Sequence, residues 1–190
     1  MTTYTIKQSW FPHFFFTDTA SAPLWFIIRI YLGYEWLMAG WGKVMNPKWF
    51  GGDAGAALQG FVQGAVAKTT CAPEIAAAAC HPAVQTWYAS FLQSTVLPNL
   101  VAWSNAVAVG EVLIGLGLIF GAVTGIAAFF GFFMNLNFLL AGTVSENPVM
   151  LVLALLLMLA WRVSGYWGLD RYLLPRLYSR TRRYGSSEKG

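Results

Sequence analysis

The sequence has few charged side chains. Only 11% of its 190 residues are Asp, Glu, Lys or Arg, whereas 57% are hydrophobic. Soluble domains usually carry about 25% charged residues. The composition therefore disfavours a soluble enzyme and indicates a chain whose apolar segments lie in a lipid bilayer.

Sequence motifs that hold a haem or a nucleotide are also missing. The chain contains no C-x-x-C-H haem attachment motif, no P-loop and no glycine-rich dinucleotide motif. Its two histidines, His13 and His81, are predicted to lie on opposite sides of the membrane, so they could not ligate one buried haem together. We predict no bound haem, flavin or metal. Electron chemistry in this chain would use a mobile quinone or the cofactor of a partner.

Cysteine is scarce as well. The two cysteines, Cys71 and Cys80, both fall in a segment that is predicted to lie outside the cell membrane. A pair of cysteines in an oxidising compartment indicates a disulfide. A redox-active pair that accepts a sulfur species is the alternative, but the spacing differs from the C-x-x-C of thiol oxidoreductases.

Long apolar runs are what the sequence has in abundance. Four of them, at 22–42, 101–120, 123–142 and 147–164, approach the roughly 20 residues that a membrane-spanning helix needs. The predicted fold is an all-α membrane protein, a bundle of four transmembrane helices. We divide the chain into an N-terminal interfacial segment (1–21), the membrane domain (22–171) and a basic tail (172–190). Within the membrane domain, the long external connection 44–100 would carry short helices near 53–68 and 82–97.

Basic residues set the predicted orientation. Seven of the twelve Lys and Arg residues lie from Arg162 onward. The positive-inside rule then places both termini on the cytoplasmic side of a plasma (inner) membrane, with 44–100 outside. A basic tail next to a span is expected to contact anionic lipid headgroups, and we predict no binding to nucleic acid.

Two ionisable residues interrupt the first apolar run, and a third interrupts the second. These are Arg29, Glu35 and Glu111. From the helical rise, Arg29 would lie about 10 Å from the inner boundary and Glu111 about 15 Å from the outer one, in a hydrocarbon core of about 30 Å. Their depths nearly agree, and an isolated charge in hydrocarbon is costly, so we predict that Arg29 pairs with Glu111. The pair could be structural or part of a site for quinone or proton transfer.

Further polar and aromatic side chains are predicted to converge on the outer half of the bundle. By the same rise, the sequence predicts an outward-opening pocket walled by the first three spans and roofed by 44–100. Lys43 would stand at its mouth and attract an anion. Alternatively, the asparagines only bind one another across helices. The residues that we assign to this pocket are Glu35, Trp36, Lys43, Trp103, Asn105, Asn135 and Asn137.

Several of these residues belong to motifs of a known family. The first span contains Arg29, Gly33, Gly40 and Lys43 in the pattern R-x-x-x-G-x-x-x-x-x-x-G-x-x-K, and the second begins its glycine-rich half with Gly110-Glu111. Together with the GYWGLD segment at 165–170, they resemble the DoxX/DoxD family of four-helix membrane proteins. The long external connection and the NFLLAG segment at 137–142 are more similar to the DoxD branch.

The resemblance implies a function. The DoxD branch is associated with thiosulfate:quinone oxidoreductase, in which a membrane subunit works beside a second, smaller subunit. That enzyme oxidises thiosulfate to tetrathionate and passes the electrons to quinone. We therefore predict a membrane subunit of an oxidoreductase for thiosulfate or another small anionic sulfur compound. Arg29, Glu35 and Glu111 would be catalytic; Trp36, Lys43, Trp103, Asn105, Asn135 and Asn137 would bind substrate or quinone. The alternative is a non-catalytic scaffold or assembly subunit of a respiratory or other redox complex.

Overall fold

The computed structural model describes residues 9–71 and 80–176. Residues 1–8, 72–79 and the predicted tail from 177 onward lie outside this part of the chain. The described part is helical without a strand, which confirms the predicted all-α class. The helices are α1 (Trp10–Thr17), α2 (Ala22–Val44), α3 (Ala56–Ala67), α4 (Thr86–Phe91), α5 (Leu100–Phe120), α6 (Thr124–Leu140), α7 (Asn147–Leu159) and α8 (Trp161–Ser164). Residues 170–176 are helical as well.

The four longest helices pack against one another. Helix α2 contacts α5 and α7, and α6 contacts α5 and α7. We call the end of the bundle beside α3 the α3 end. The opposite end, where α1 and α8 meet, is the α8 end. Trp36, Leu32, Leu118 and Leu157 lie in the core between these helices.

Glycines determine how closely α2 and α5 approach. A Cβ atom added at Gly40 would come within 2.6 Å of the Val112 backbone nitrogen, and one at Gly115 would come equally close to Leu37. Gly33 lies against Ile119 in the same way. Only glycine permits such backbone contact between helices. The contacts also fix an antiparallel register, since each step along α2 is matched by an equal step backward along α5.

The second helix of the bundle begins earlier than the sequence predicted. One continuous helix runs from 86 to 120, so the predicted separate helix at 82–97 is the first part of this element. Pro98 does not end it, because a π turn at Leu92–Val96 and a 3₁₀ turn at Leu97–Asn99 take up the irregularity. Such local adjustments accommodate the missing N–H of proline. The long connection consequently ends near residue 85, not at 100.

Hydropathy separates this helix from the others. Within the described residues, only the 86–120 helix is both long and apolar enough to cross a bilayer. The helices 56–67, 124–140 and 147–159 are apolar but shorter. The fourth predicted span, 147–164, is divided at Ala160, where α7 ends and α8 follows.

The connection between α2 and α5 folds over the α3 end. Its helix α3 begins after Gly55, whose φ of +99° favours glycine. The carbonyl of Trp49 accepts a hydrogen bond from the Ser104 hydroxyl at 2.6 Å, and Lys68 donates to the Gly142 carbonyl at 2.8 Å. These two hydrogen bonds fasten the connection to α5 and to the end of α6.

Candidate functional site

A polar cavity of about 380 Å³ lies at the α3 end, among α2, α5, α6 and the start of α7. Cavities of this size are typical of small-molecule sites. Five residues that the sequence assigned to the site line it: Glu35, Trp36, Lys43, Glu111 and Asn135.

The ion pair inside the bundle differs from the predicted one. The ammonium of Lys43 donates to Glu111 Oε2 at 2.6 Å. The predicted pairing of Arg29 with Glu111 is therefore wrong. The register of α2 against α5 explains the difference. Gly40 packs on Glu111 and Val112, which places Lys43, about one helical turn further on, beside the carboxylate.

Arg29 lies at the other end of the bundle. Its guanidinium donates to the Trp167 carbonyl at 2.9 Å. A side chain at Gly121 or at Gly168 would overlap the guanidinium. Arg29 thus fastens the segment after α8 to the start of the bundle, far from the α3-end cavity.

The same segment holds the beginning of α6. The carboxylate of Asp170 accepts hydrogen bonds from the backbone nitrogens of Val123 at 2.6 Å and Thr124 at 2.8 Å. A carboxylate at a helix N-terminus satisfies otherwise unpaired N–H groups and complements the helix dipole. The family-like GYWGLD segment therefore closes the α8 end, a structural role that the sequence did not predict.

Two residues that line the α3-end cavity, Trp36 and Asn135, carry buried polar atoms without a hydrogen-bond partner among the described residues. Asn135 is fully buried, and within the described ranges neither its amide nitrogen nor its oxygen has a hydrogen-bond partner. The indole N–H of Trp36 is buried and unpaired in the same part of the chain, about 3.1 Å from where a Cβ on Gly131 would lie. Buried polar groups in proteins nearly always find a partner. The amide of Asn135 and the indole N–H of Trp36 are therefore exceptions to this rule, and both residues belong to the wall of the cavity.

Aromatic rings form another wall of the cavity. The ring of Phe138 stacks on Trp36 with centroids 6.5 Å apart and meets Phe61 edge-on at 6.1 Å. The ammonium of Lys43 lies 5.3 Å from the centre of the Trp49 ring. Trp49, Phe61 and Phe138 were not among the predicted site residues. The apolar face of α3 was the available signal for Phe61.

The charges around the cavity are mostly negative. Its walls carry the carboxylates of Glu35, Glu111 and Glu146 and a single ammonium, that of Lys43. Because Lys43 is paired with Glu111, no net positive charge remains where the sequence predicted a free cation at the mouth. This arrangement of charges disfavours the binding of a dianion.

The remaining predicted residues lie elsewhere. Asn137 points to a different neighbour: its amide oxygen and its backbone carbonyl accept from the Tyr88 hydroxyl at 3.1 and 3.0 Å. Trp103 meets Phe91 edge-on at 6.4 Å. Asn105 is not among the residues that line the α3-end cavity, and its buried oxygen has no partner among the described residues.

Cys71 and Cys80 are joined in a disulfide, as predicted. Among the described residues, no group of three or more His, Cys, Asp or Glu side chains is placed to hold a metal ion. Comparisons with protein-family models, with curated proteins and with solved structures found no match to this chain. The resemblance to the DoxX/DoxD family stays a prediction.

Proposed function

We propose that this chain is a four-span protein of the plasma (inner) membrane, with both termini in the cytoplasm and the α3 end outside. The exposed faces of the bundle support this arrangement. Ile27, Leu113, Ile126 and Leu159, one from each of the four longest helices, are all more than half exposed. Large apolar surfaces of this kind are rare on soluble monomers, whereas a bilayer covers them.

Within that membrane we propose the function of a membrane subunit in a sulfur-compound:quinone oxidoreductase, the α3-end cavity being its quinone-ring site. The buried, unpaired amide of Asn135 is the observation that carries this proposal. A quinone is flat, uncharged and bears two carbonyl acceptors. The amide of Asn135 and the indole N–H of Trp36 would donate to one carbonyl, while the Phe138 and Trp36 rings would contact the ring face.

The charge of the cavity supports the further proposal that the two substrates bind in different places. Three carboxylates and one ammonium line it, so a doubly charged thiosulfate is disfavoured there. We place the oxidation of the sulfur anion on a partner subunit outside this cavity. Two thiosulfate ions give one tetrathionate and two electrons, and those electrons with two protons convert quinone to quinol.

The Lys43–Glu111 pair stands where those protons are needed. Lys43 and Glu111 both line the cavity, as do Glu35 and Glu146. Side chains that exchange protons at hydrogen-bond distance are the usual general acids and bases. In this proposal Lys43 donates to the reduced ring, and Glu35 and Glu146 connect the pair to the outside water.

Asn135→Leu tests the ring site, and Asn105→Leu is the matched control because Asn105 does not line the cavity. Binding of a tail-free benzoquinone to purified protein should weaken about tenfold in Asn135→Leu, the effect of roughly one buried hydrogen bond. Asn105→Leu should bind as the unchanged protein does. Equal affinities in all three proteins would contradict the ring site.

Turnover distinguishes the subunit from a scaffold. The purified chain, alone and together with the products of neighbouring genes, is tested for quinone reduction with thiosulfate and with other sulfur donors. Reduction that Asn135→Leu slows supports the proposal. Reduction that is unaffected by Asn135→Leu, and that requires only a partner with its own cofactor, would favour the scaffold.

A further inference from the structure

Behind the α3-end cavity lies an apolar chamber of about 150 Å³. It is enclosed by α3, the beginning of the 86–120 helix and α6. The chamber and the α3-end cavity share two wall residues, Phe61 and Phe138. These two rings, which meet edge-on, therefore separate a polar space from an apolar one.

The chamber continues into an apolar groove of about 530 Å³ between α5 and α6. Four residues belong to both: Trp103, Val107, Phe133 and Met134. Along α5 the groove extends from Trp103 to Gly117, which is about 21 Å at the helical rise. Leu113 and Phe130 at its edge are more than half exposed, so the groove opens sideways from the bundle.

The polar atoms of the two spaces differ in how they are paired. Asn135 lines the α3-end cavity, and both its amide atoms are buried and unpaired among the described residues. Asn137 lines the chamber, but its amide nitrogen donates to the Phe133 carbonyl at 2.8 Å and its oxygen accepts from Tyr88. The first space therefore offers hydrogen bonds to a ligand, whereas the second offers almost only apolar contact.

Glycine keeps the groove open. A Cβ added at Gly110 would meet only the sulfur of Met134, at 3.7 Å, among the described atoms within contact range. This glycine does not bring two backbones together, in contrast to Gly40 and Gly115. The room beside it is space that a larger side chain could fill without displacing the backbone.

We infer that the chamber and the groove hold the isoprenoid tail of the quinone whose ring lies in the α3-end cavity. The rings of Phe61 and Phe138 are in contact, so the tail would pass where they turn apart, and it would leave the bundle sideways between α5 and α6. This inference rests on the proposed quinone site. It gives the ligand a route from the bilayer that avoids the polar surface of the protein, and it makes the preferred substrate a quinone with a long apolar tail.

Gly110→Leu tests the inference by filling the groove, and Gly60→Leu is its control because no described atom lies within contact range of a Cβ there. Dissociation constants are measured for a tail-free benzoquinone and for the same ring with a ten-carbon tail. The unchanged protein and Gly60→Leu should prefer the tailed ligand. In Gly110→Leu that preference should fall about tenfold, the effect of roughly two methylene contacts, while tail-free binding stays unchanged.

The outcomes separate the two proposals. If the unchanged protein does not bind the tail-free ring, the proposed quinone site is wrong. If it binds the ring but Gly110→Leu leaves the preference for the tailed ligand unchanged, the tail route is wrong and the ring site stands. If Gly110→Leu instead expels a copurified phospholipid without changing quinone affinity, the groove holds a lipid acyl chain and the inference is overturned.

A second measurement does not depend on the variant. A quinone with a photoreactive diazirine at the end of its tail is irradiated with the unchanged protein, and the labelled peptides are identified by mass spectrometry. Labels should lie on groove residues such as Leu113, Phe130 and Met134. Labels confined to the outward face of α2 or α7 would overturn the inference.

Discussion

Removal of Lys43 is expected to destabilise the protein more than removal of its partner, Glu111. The side chain of Glu111 is 1% exposed and that of Lys43 is 21% exposed. Lys43→Met therefore leaves a carboxylate buried without a counter-charge. Glu111→Leu leaves an ammonium on a long stem that can turn toward water.

The exposed fractions of the two side chains set the expected losses of stability. Loss of one partner from a buried ion pair costs about 3–5 kcal/mol, and the partly exposed Lys43 places this pair near 3 kcal/mol for Lys43→Met. Glu111→Leu should cost about 1 kcal/mol, the net value of one hydrogen bond. For a chain of this size about 1 kcal/mol lowers Tm by roughly 2–4 °C, so Lys43→Met should lose about 6–12 °C and Glu111→Leu about 2–4 °C.

Thermal unfolding of the purified variants in one detergent, followed by circular dichroism, measures the difference. The double variant Lys43→Met with Glu111→Leu should be more stable than Lys43→Met alone, because it removes the stranded carboxylate. Arg29→Met with Glu111→Leu is the control pair and should show additive losses. A larger loss for Glu111→Leu than for Lys43→Met, or a double variant with additive losses, would refute the reasoning.

Three further predictions concern the bundle and its roof. Gly40→Val should strongly reduce the yield of folded protein, because Val112 occupies the space that the new side chain would need. Gly42→Val should not, because no described atom lies within contact range there. Equal yields of the two variants would contradict the close packing of α2 on α5. Cys71→Ser should lower stability by about 2–3 kcal/mol through loss of the short disulfide-closed loop, and a Tm unchanged by reduction would argue against it. A cysteine introduced at Gly60 should react with a label added outside intact cells. A cysteine introduced in the tail 172–190 should react only after the cells are permeabilised. Labelling of both cysteines from one side would exclude the proposed topology.

The sequence predicted the helical class and the polar cavity from local features. Apolar runs of fixed length give helices. Four residues assigned to the pocket, Glu35, Trp36, Lys43 and Asn135, line one cavity together with Glu111. The ion pair was predicted wrongly because depths counted from uncertain helix ends carry errors of several residues. Gly33 and Gly40, which pack against the backbone of α5, would have predicted the ion pair better. They determine which turn of α5 lies beside which turn of α2.

The two asparagines of α6 show a second error in the prediction of the site from the sequence. Asn135 and Asn137 are two residues apart, so they point about 200° apart around a helix and cannot face one cavity. That geometry was available from the sequence. The aromatic wall was not available, because Trp49 and Phe61 reach the cavity only through the folding of the connection. Phe138 meets Phe61 from a helix distant in sequence.

The bond between Arg29 and the Trp167 carbonyl joins residues 138 positions apart. At a synthesis rate of about 5–20 residues per second, the arginine leaves the ribosome roughly 7–28 s before its acceptor does. Throughout that interval the first long helix carries a charge for which the finished partner does not yet exist. The α8 end can close only after Asp170, which binds the start of α6, has been made. A ribosome that stalls before that point leaves a bundle open at this end.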